Sequence, residues 1–131
     1  MTIKVLIADD ELLARKRLTR LLGALQAQGF ECVGECEDGE QVLERVKEGG
    51  VDLLLLDIHM PHLDGLSFVE QAQERNPALG FIILSAFDTE ENLRRAIPLQ
   101  VYEFLSKPLP ERDGFEARIS EWVDRTRRRR Q

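Results

Sequence analysis

The segment Leu53-Leu54-Leu55-Leu56-Asp57 constrains the fold more than any other stretch of this chain. A short uninterrupted apolar run reads as a strand covered on both faces, and such strands belong to parallel sheets enclosed by helices. This one delivers an acid at its last position. Two more acids, Asp9 and Asp10, close the apolar run Ile3 to Ala8, and Lys107-Pro108 follows a third run, Val101 to Leu105. In open parallel sheets the functional crevice lies outside the carboxyl ends of the strands. Three carboxylates and one lysine gathered there are the components of a metal and phosphate site.

Apolar runs alternate with helical patterns along the whole chain, which is the signature of βα units and an α/β fold with helices on both faces of the sheet. Strands are expected near 3–8, 31–36, 51–56, 81–85 and 101–105. Ala14, Leu18, Leu21, Leu22 and Leu25 recur at helical spacing and predict the first helix. The second carries Val42, Leu43 and Val46 between an Asp38 N-cap and a Gly49-Gly50 stop. The third follows Asp64-Gly65, carries Leu66, Phe68, Val69 and Ala72, and ends before Pro77, because the residue preceding a proline is disfavoured in the helical region. The fourth begins near Asp88, whose spacing to Glu91 suits a capping box, and is cut short at Ile97 because Pro98 lacks the needed N–H. Phe115, Ile119, Trp122 and Val123 define the buried stripe of the fifth, with Glu121–Arg125 and Asp124–Arg128 as i,i+4 pairs.

A length of 131 residues suits one domain. No stretch approaches the ~18 consecutive apolar residues of a membrane span, and Met1-Thr2-Ile3-Lys4 leads into a strand pattern instead of a secretory leader, so a cytoplasmic protein without membrane contact is expected. The formal net charge of −6 argues against direct nucleic-acid binding, which needs an excess of positive charge. Cys32 and Cys36 would sit ~13 Å apart on a strand at ~3.3 Å per residue, beyond disulfide reach, and read as reduced thiols filling space. His59 and His62 lie in a loop with Pro61 and have no third His or Cys to build a zinc site. Arg125 and Arg127 to Arg130 form the one strong charge run; they either complement the negative end of the last helix or begin a linker.

Taken together, Asp9-Asp10, the block Asp57-Ile58-His59-Met60-Pro61-His62-Leu63-Asp64-Gly65, Ser85-Ala86 and Lys107-Pro108 resemble the response-regulator receiver domain, the phosphoacceptor module of two-component signalling. The resemblance runs from Ile3 to about Val123. It implies a flavodoxin-like, doubly wound sheet of five parallel strands in the order 2-1-3-4-5 with five helices. It divides the chain into a receiver domain, 1–124, and a basic tail or linker start, 125–131.

The resemblance also implies the chemistry. Asp57 is the phosphoacceptor, and Mg2+ is the cofactor, ligated by Asp10, Asp57 and the backbone carbonyl of His59, with Asp9 acting through water. Lys107 pairs with a phosphoryl oxygen, Ser85 is the hydroxyl switch and Phe104 the switch aromatic, where Tyr is common. A cis Lys107–Pro108 bond would aim the lysine inward, and His59 and Phe87 would flank the phosphoryl entrance. The expected partners are a sensor histidine kinase or phosphotransfer protein, an output domain after the C-terminus, and a second copy on phosphorylation. Apart from its own phosphorylation and dephosphorylation such a chain catalyses nothing. Pro98 and Gln100 depart from the family pattern of a longer fourth helix followed by Gly-Ala.

The residues themselves support this chemistry. Clustered acids raise at least one carboxyl pKa unless a cation neutralises them, and oxygen-rich, histidine-poor ligation suits Mg2+. Two other readings compete: a phosphatase of the haloacid-dehalogenase type, which needs a second acid where His59 stands, and a docking module that works without phosphorylation.

Overall fold

The parallel sheet runs β2-β1-β3-β4-β5, with β1 at Ile3–Ala8, β2 at Phe30–Cys36, β3 at Leu53–Asp57, β4 at Gly80–Ser85 and β5 at Glu103–Ser106. This computed structural model describes residues 2–24, 26–85, 90–107 and 112–129. The helices are α1 at Leu12–Ala24, α2 at Gly39–Glu48, α3 at Gly65–Arg75, α4 at Glu90–Ala96 and α5 at Arg112–Arg129. The strand order is the one expected, and each crossover carries a helix, as parallel neighbours require.

Alternation along the strands sorts the core into two layers. Leu53 and Leu55 join Ile3, Val5, Ile7, Leu18, Leu22 and Trp122 on the face covered by α1 and α5. Leu54 and Leu56 join Leu6, Val69, Phe81 and Ile83 on the opposite face, beneath α2, α3 and α4. Every residue of β3 and β4 is buried, so these strands carry no solvent-facing polar positions.

Local signals explain the helix ends. Asp38 accepts from Gln41 N at 2.9 Å and caps α2, while Gly49 closes it with φ 81, a left-handed conformation that suits glycine. Asp64 caps α3 from Ser67 N. Helix α4 ends at Ala96, one residue before the expected limit, and Pro98 sits inside a following 3-10 turn, Ile97–Leu99, where its missing N–H costs little. Gln100 then takes φ 53, a left-handed turn at the position where the family pattern places glycine.

Two expectations need correction. Leu43 does not enter the core: it is 44% exposed, on the rim of a groove between α2 and α3 that Phe68 and Ala72 also line. The boundary expected after residue 124 falls inside α5, which continues to Arg129. Arg125 does not fray into solvent; it donates to Tyr102 O at 2.7 Å and lies 5.1 Å over the Tyr102 ring, and Thr126 is buried. The Glu121–Arg125 pair forms at 3.8 Å, whereas Arg128 turns back to the Asp124 carbonyl. The N-cap expected at Asp88, Leu25 in the first helical stripe, Ala86, Phe87 and the Lys107–Pro108 bond lie outside the described residues, as does the Ile119 side chain.

Gly65 is fixed by close packing. A Cβ there would stand 2.5 Å from Ile58 Cα, so the turn carrying Asp57 to His59 lies directly against the start of α3. Gly65→Ala is expected to destabilise the fold by about 1–3 kcal/mol through overpacking. Urea unfolding measures it, and an unchanged midpoint would show that the turn yields freely.

Candidate functional site

The register of the sheet builds the site. Ala8 pairs with Leu56, so the next residues, Asp9 and Asp57, leave neighbouring strands side by side. Asp57 pairs with Leu84, and Ser85 pairs with Ser106, which places Lys107 one step beyond the end of β5. Lys107 N donates to Ser85 O at 2.8 Å, tying those two strand ends together. Residues distant in sequence thus meet at one edge because the register aligns the carboxyl ends of β1, β3, β4 and β5.

Lys107 Nζ lies among three carboxylates: 2.7 Å from Asp9 Oδ2, 3.2 Å from Asp57 Oδ2 and 3.2 Å from Glu11 Oε1. Asp9 and Asp57 are buried, whereas Glu11 is largely exposed. Asp9 Oδ1 accepts from Glu11 N at 2.9 Å and Asp57 Oδ1 accepts from His59 N at 2.9 Å. The lysine approaches Asp9 Oδ2 as a charge and not along a hydrogen-bonding direction, leaving that oxygen buried with no donor aimed at it. Burial pushes the Asp57 carboxyl above its ordinary pKa and the Asp9 carboxylate adds to the rise, while the His59 N–H and Lys107 oppose it. For Lys107, burial works against the charged form, but the close contact with Asp9 and the charges of Asp57 and Asp9 win, and its pKa rises.

Asp10 is exposed beside this cluster, and one oxygen from each of Asp9, Asp10 and Asp57 lies within 4.8 Å of the others. Among the described residues this is the single group of His, Cys, Asp or Glu side chains close enough to share a metal ion. Hard oxygen donors, one of them a buried oxygen with no aimed donor, fit a hard divalent cation such as Mg2+. His59 and His62 belong to no such group; His62 holds a left-handed turn at φ 60, and the His59 ring lies 3.5 Å from Asn92 Nδ2.

The remaining predicted residues stand on β4 and β5. Ser85 is fully buried at the end of β4. Phe104, opposite Ile83, is half-buried and lines a groove with Leu93, Ala96, Ile97 and Val101. Helix α4 is joined to the turn after β3 by Arg95, which reaches both Asp64 oxygens at 3.1 Å. Burial works against the Asp64 carboxylate, but the Arg95 and Ser67 hydrogen bonds hold its pKa below the ordinary value.

Glu11, Arg15 and Arg95 escaped the sequence reading. Glu11 had a visible signal, since it is a third consecutive acid. Arg15 donates to the Asp9 carbonyl at 2.7 Å and pairs with Glu35 at 3.3 Å, fastening the Asp9 turn to β2, and nothing local in the sequence announces that.

A doubly wound sheet with buried acids and a lysine at its carboxyl edge defines a class of α/β domains whose functional crevice lies at the strand ends. The chain belongs to the response regulator receiver domain family, whose profile matches residues 5–119. It is 31% identical to the chemotaxis protein CheY of Bacillus subtilis over 127 residues, 96% of this chain and 98% of that protein. It is also 38% identical to a protein-glutamate methylesterase/protein-glutamine glutaminase of Methylobacillus flagellatus, covering 82% of this chain but only 30% of that enzyme. Among solved structures it is similar to the receiver domain of AraT, a response regulator from Geobacillus stearothermophilus, with a TM-score of 0.82 and 33% identity over 97% of this chain and 99% of that one. It is also similar to the CheX-CheY-BeF3-Mg2+ complex from Borrelia burgdorferi, with a TM-score of 0.79 and 27% identity over 92% and 89% of the two chains. No described helix is long and apolar enough to cross a membrane.

Proposed function

We propose that this chain is a cytoplasmic phosphoacceptor that takes a phosphoryl group from the phosphohistidine of a sensor histidine kinase or phosphotransfer protein onto Asp57. An Asp57 carboxylate oxygen attacks phosphorus, the P–N bond of the donor breaks, and the imidazole leaves with its electron pair and takes up a proton. The observation that carries this reading is Lys107 Nζ held between buried Asp9 and Asp57 at the strand ends. Phosphoryl transfer asks the protein mainly for in-line positioning and for neutralising the equatorial oxygens. Lys107 supplies one cation for that purpose. Bound Mg2+, held by Asp10, Asp57 and the His59 carbonyl with Asp9 through water, would neutralise the remaining charge. The His59 N–H fixes one Asp57 oxygen and leaves the other, beside Lys107, as the nucleophile.

The expected result with acetyl phosphate and Mg2+ is one added phosphoryl group per chain by intact mass, located on Asp57. A haloacid-dehalogenase-type phosphatase would instead turn over a generic phosphomonoester, and a docking module would do neither. The side chain two residues after Asp57 is a histidine, so the phosphatase lacks its second acid.

The output we propose is a shift at the face made by α4, β5 and α5, with Ser85 drawn toward the phosphoryl group and Phe104 turning inward. Phe104 keeps the rotamer change of a switch aromatic but has no hydroxyl. Moving an equilibrium from 1:99 to 99:1 takes ~5.5 kcal/mol of differential stabilisation, within reach of several charge-assisted contacts. Trp122 reports on this face, since its Nε1 donates to Glu103 Oε2 at 2.9 Å, next to Phe104 in β5. Beryllofluoride is expected to shift amide resonances from 90 to 107 by NMR as well as those around Asp57; changes confined to the Asp57 loops would refute the coupling. An output domain following the arginine-rich end of α5, or a second copy of the chain, would read this face.

A further inference from the structure

We infer that Glu11 is a positioning residue that holds Lys107 in the unphosphorylated chain and yields it to the incoming phosphoryl group. The inference rests on the phosphoacceptor reading of Asp57. An ammonium group has three N–H donors, and three carboxylates already surround Lys107 Nζ within 3.2 Å. Two of the donors are committed to Glu11 and Asp57 and the nitrogen is pressed against Asp9, so a phosphoryl oxygen drawing on Lys107 competes with these carboxylates for it.

The three carboxylates are not equally easy to displace. The side chain of Asp9 is 0% exposed and that of Asp57 5%, so either would be left as a buried carboxylate short of a countercharge. The side chain of Glu11 is 62% exposed, and water takes over its solvation when it lets go. The backbone of Glu11 is held at the entry to α1. Its N–H donates to Asp9 Oδ1 at 2.9 Å, and its carbonyl accepts from Arg15 N at 3.1 Å. The main chain therefore stays fixed while the side chain swings.

Two consequences follow for small phosphodonors. Glu11 competes with the phosphoryl group for Lys107, and its negative charge opposes the approach of an anion. Both effects slow labelling, and both scale with the donor's charge. Acetyl phosphate, a dianion, is affected more than phosphoramidate, which carries less net negative charge.

The decisive experiment measures labelling rates of the full chain by intact mass at saturating Mg2+ and low salt, for wild type, Glu11→Gln and Glu11→Asp. Glu11→Gln is expected to label about three- to tenfold faster with acetyl phosphate, a gain that shrinks with phosphoramidate and in high salt. Glu11→Asp keeps the charge on a shorter arm and is expected to fall between the two, separating loss of the contact from loss of the field. Circular dichroism identical to wild type is expected for both variants. Equal or slower labelling of Glu11→Gln, with wild type labelled on Asp57, would overturn the inference and leave the phosphoacceptor reading standing. No labelling of wild type by either donor would sink that reading, and this inference with it.

Discussion

Asp57→Asn is expected to abolish labelling by acetyl phosphate and, at neutral pH, to raise the melting temperature of the metal-free protein. The first effect is chemical, because the amide keeps the shape of the side chain but offers phosphorus no carboxylate nucleophile. The second follows from the environment. Burial and the Asp9 charge raise the Asp57 pKa despite His59 and Lys107, so the ionised form is less stable in the folded protein than in water. A carboxyl whose folded pKa lies above its unfolded value favours folding most when protonated. That contribution is fully present below the unfolded pKa and is lost as pH rises through the folded one. Asparagine escapes that loss, so its advantage is greatest at neutral pH and shrinks as the solution is acidified into the carboxylate range. Thermal unfolding of both proteins across that range tests the sign. Full labelling of the variant would move the acceptor elsewhere and end the proposed mechanism.

The burial of an acid at the end of an apolar strand is what made this site legible from sequence. An acid directly after Leu53 to Leu56 makes no sense as core, and the local turn it caps by accepting from His59 N occupies only one of its two oxygens. The strand runs were equally plain, because strands buried on both faces need continuous apolar residues. Their limits were less so. Val51 and Asp52 were expected in β3 but precede it, although Asp52 N donates to Lys4 O at 2.8 Å while its carboxylate accepts from Lys4 N at 2.9 Å. Leu43 matched the helical period of α2 yet faces a groove, because periodicity assigns a face but not what covers it. The arginine run at the end of α5 looked like a solvated tail, and only the position of Tyr102 beside the neighbouring strand shows that Arg125 belongs to the packed unit. Glu11 and Arg95 act through partners 96 and 31 residues away, Lys107 and Asp64, and a single sequence offers no measure of such pairings.

Lys107→Ala is expected to show how far the site depends on one internal cation. The lysine pairs with both buried carboxylates, at 2.7 Å from Asp9 and 3.2 Å from Asp57. Removing it leaves two buried carboxylates facing each other, and breaking a buried pair from one side typically costs about 3–5 kcal/mol. Folding then drives proton uptake: the pKa of at least one of the two acids rises further, stability falls as pH climbs through that value, and the deficit against wild type narrows in acid. Because Mg2+ at the proposed site would neutralise the same carboxylates as Lys107, the metal should bind the variant at least as readily as wild type and recover a larger share of its stability. Urea unfolding with and without Mg2+ at neutral and acidic pH gives the four values needed. A variant that unfolds at the wild-type midpoint without metal, or that gains less from Mg2+ than wild type does, would show that Lys107 is not the countercharge of this cluster. Even where Mg2+ restores the fold, labelling of Asp57 should stay slow, since the restored stability comes without the ammonium donor that meets the phosphoryl oxygen.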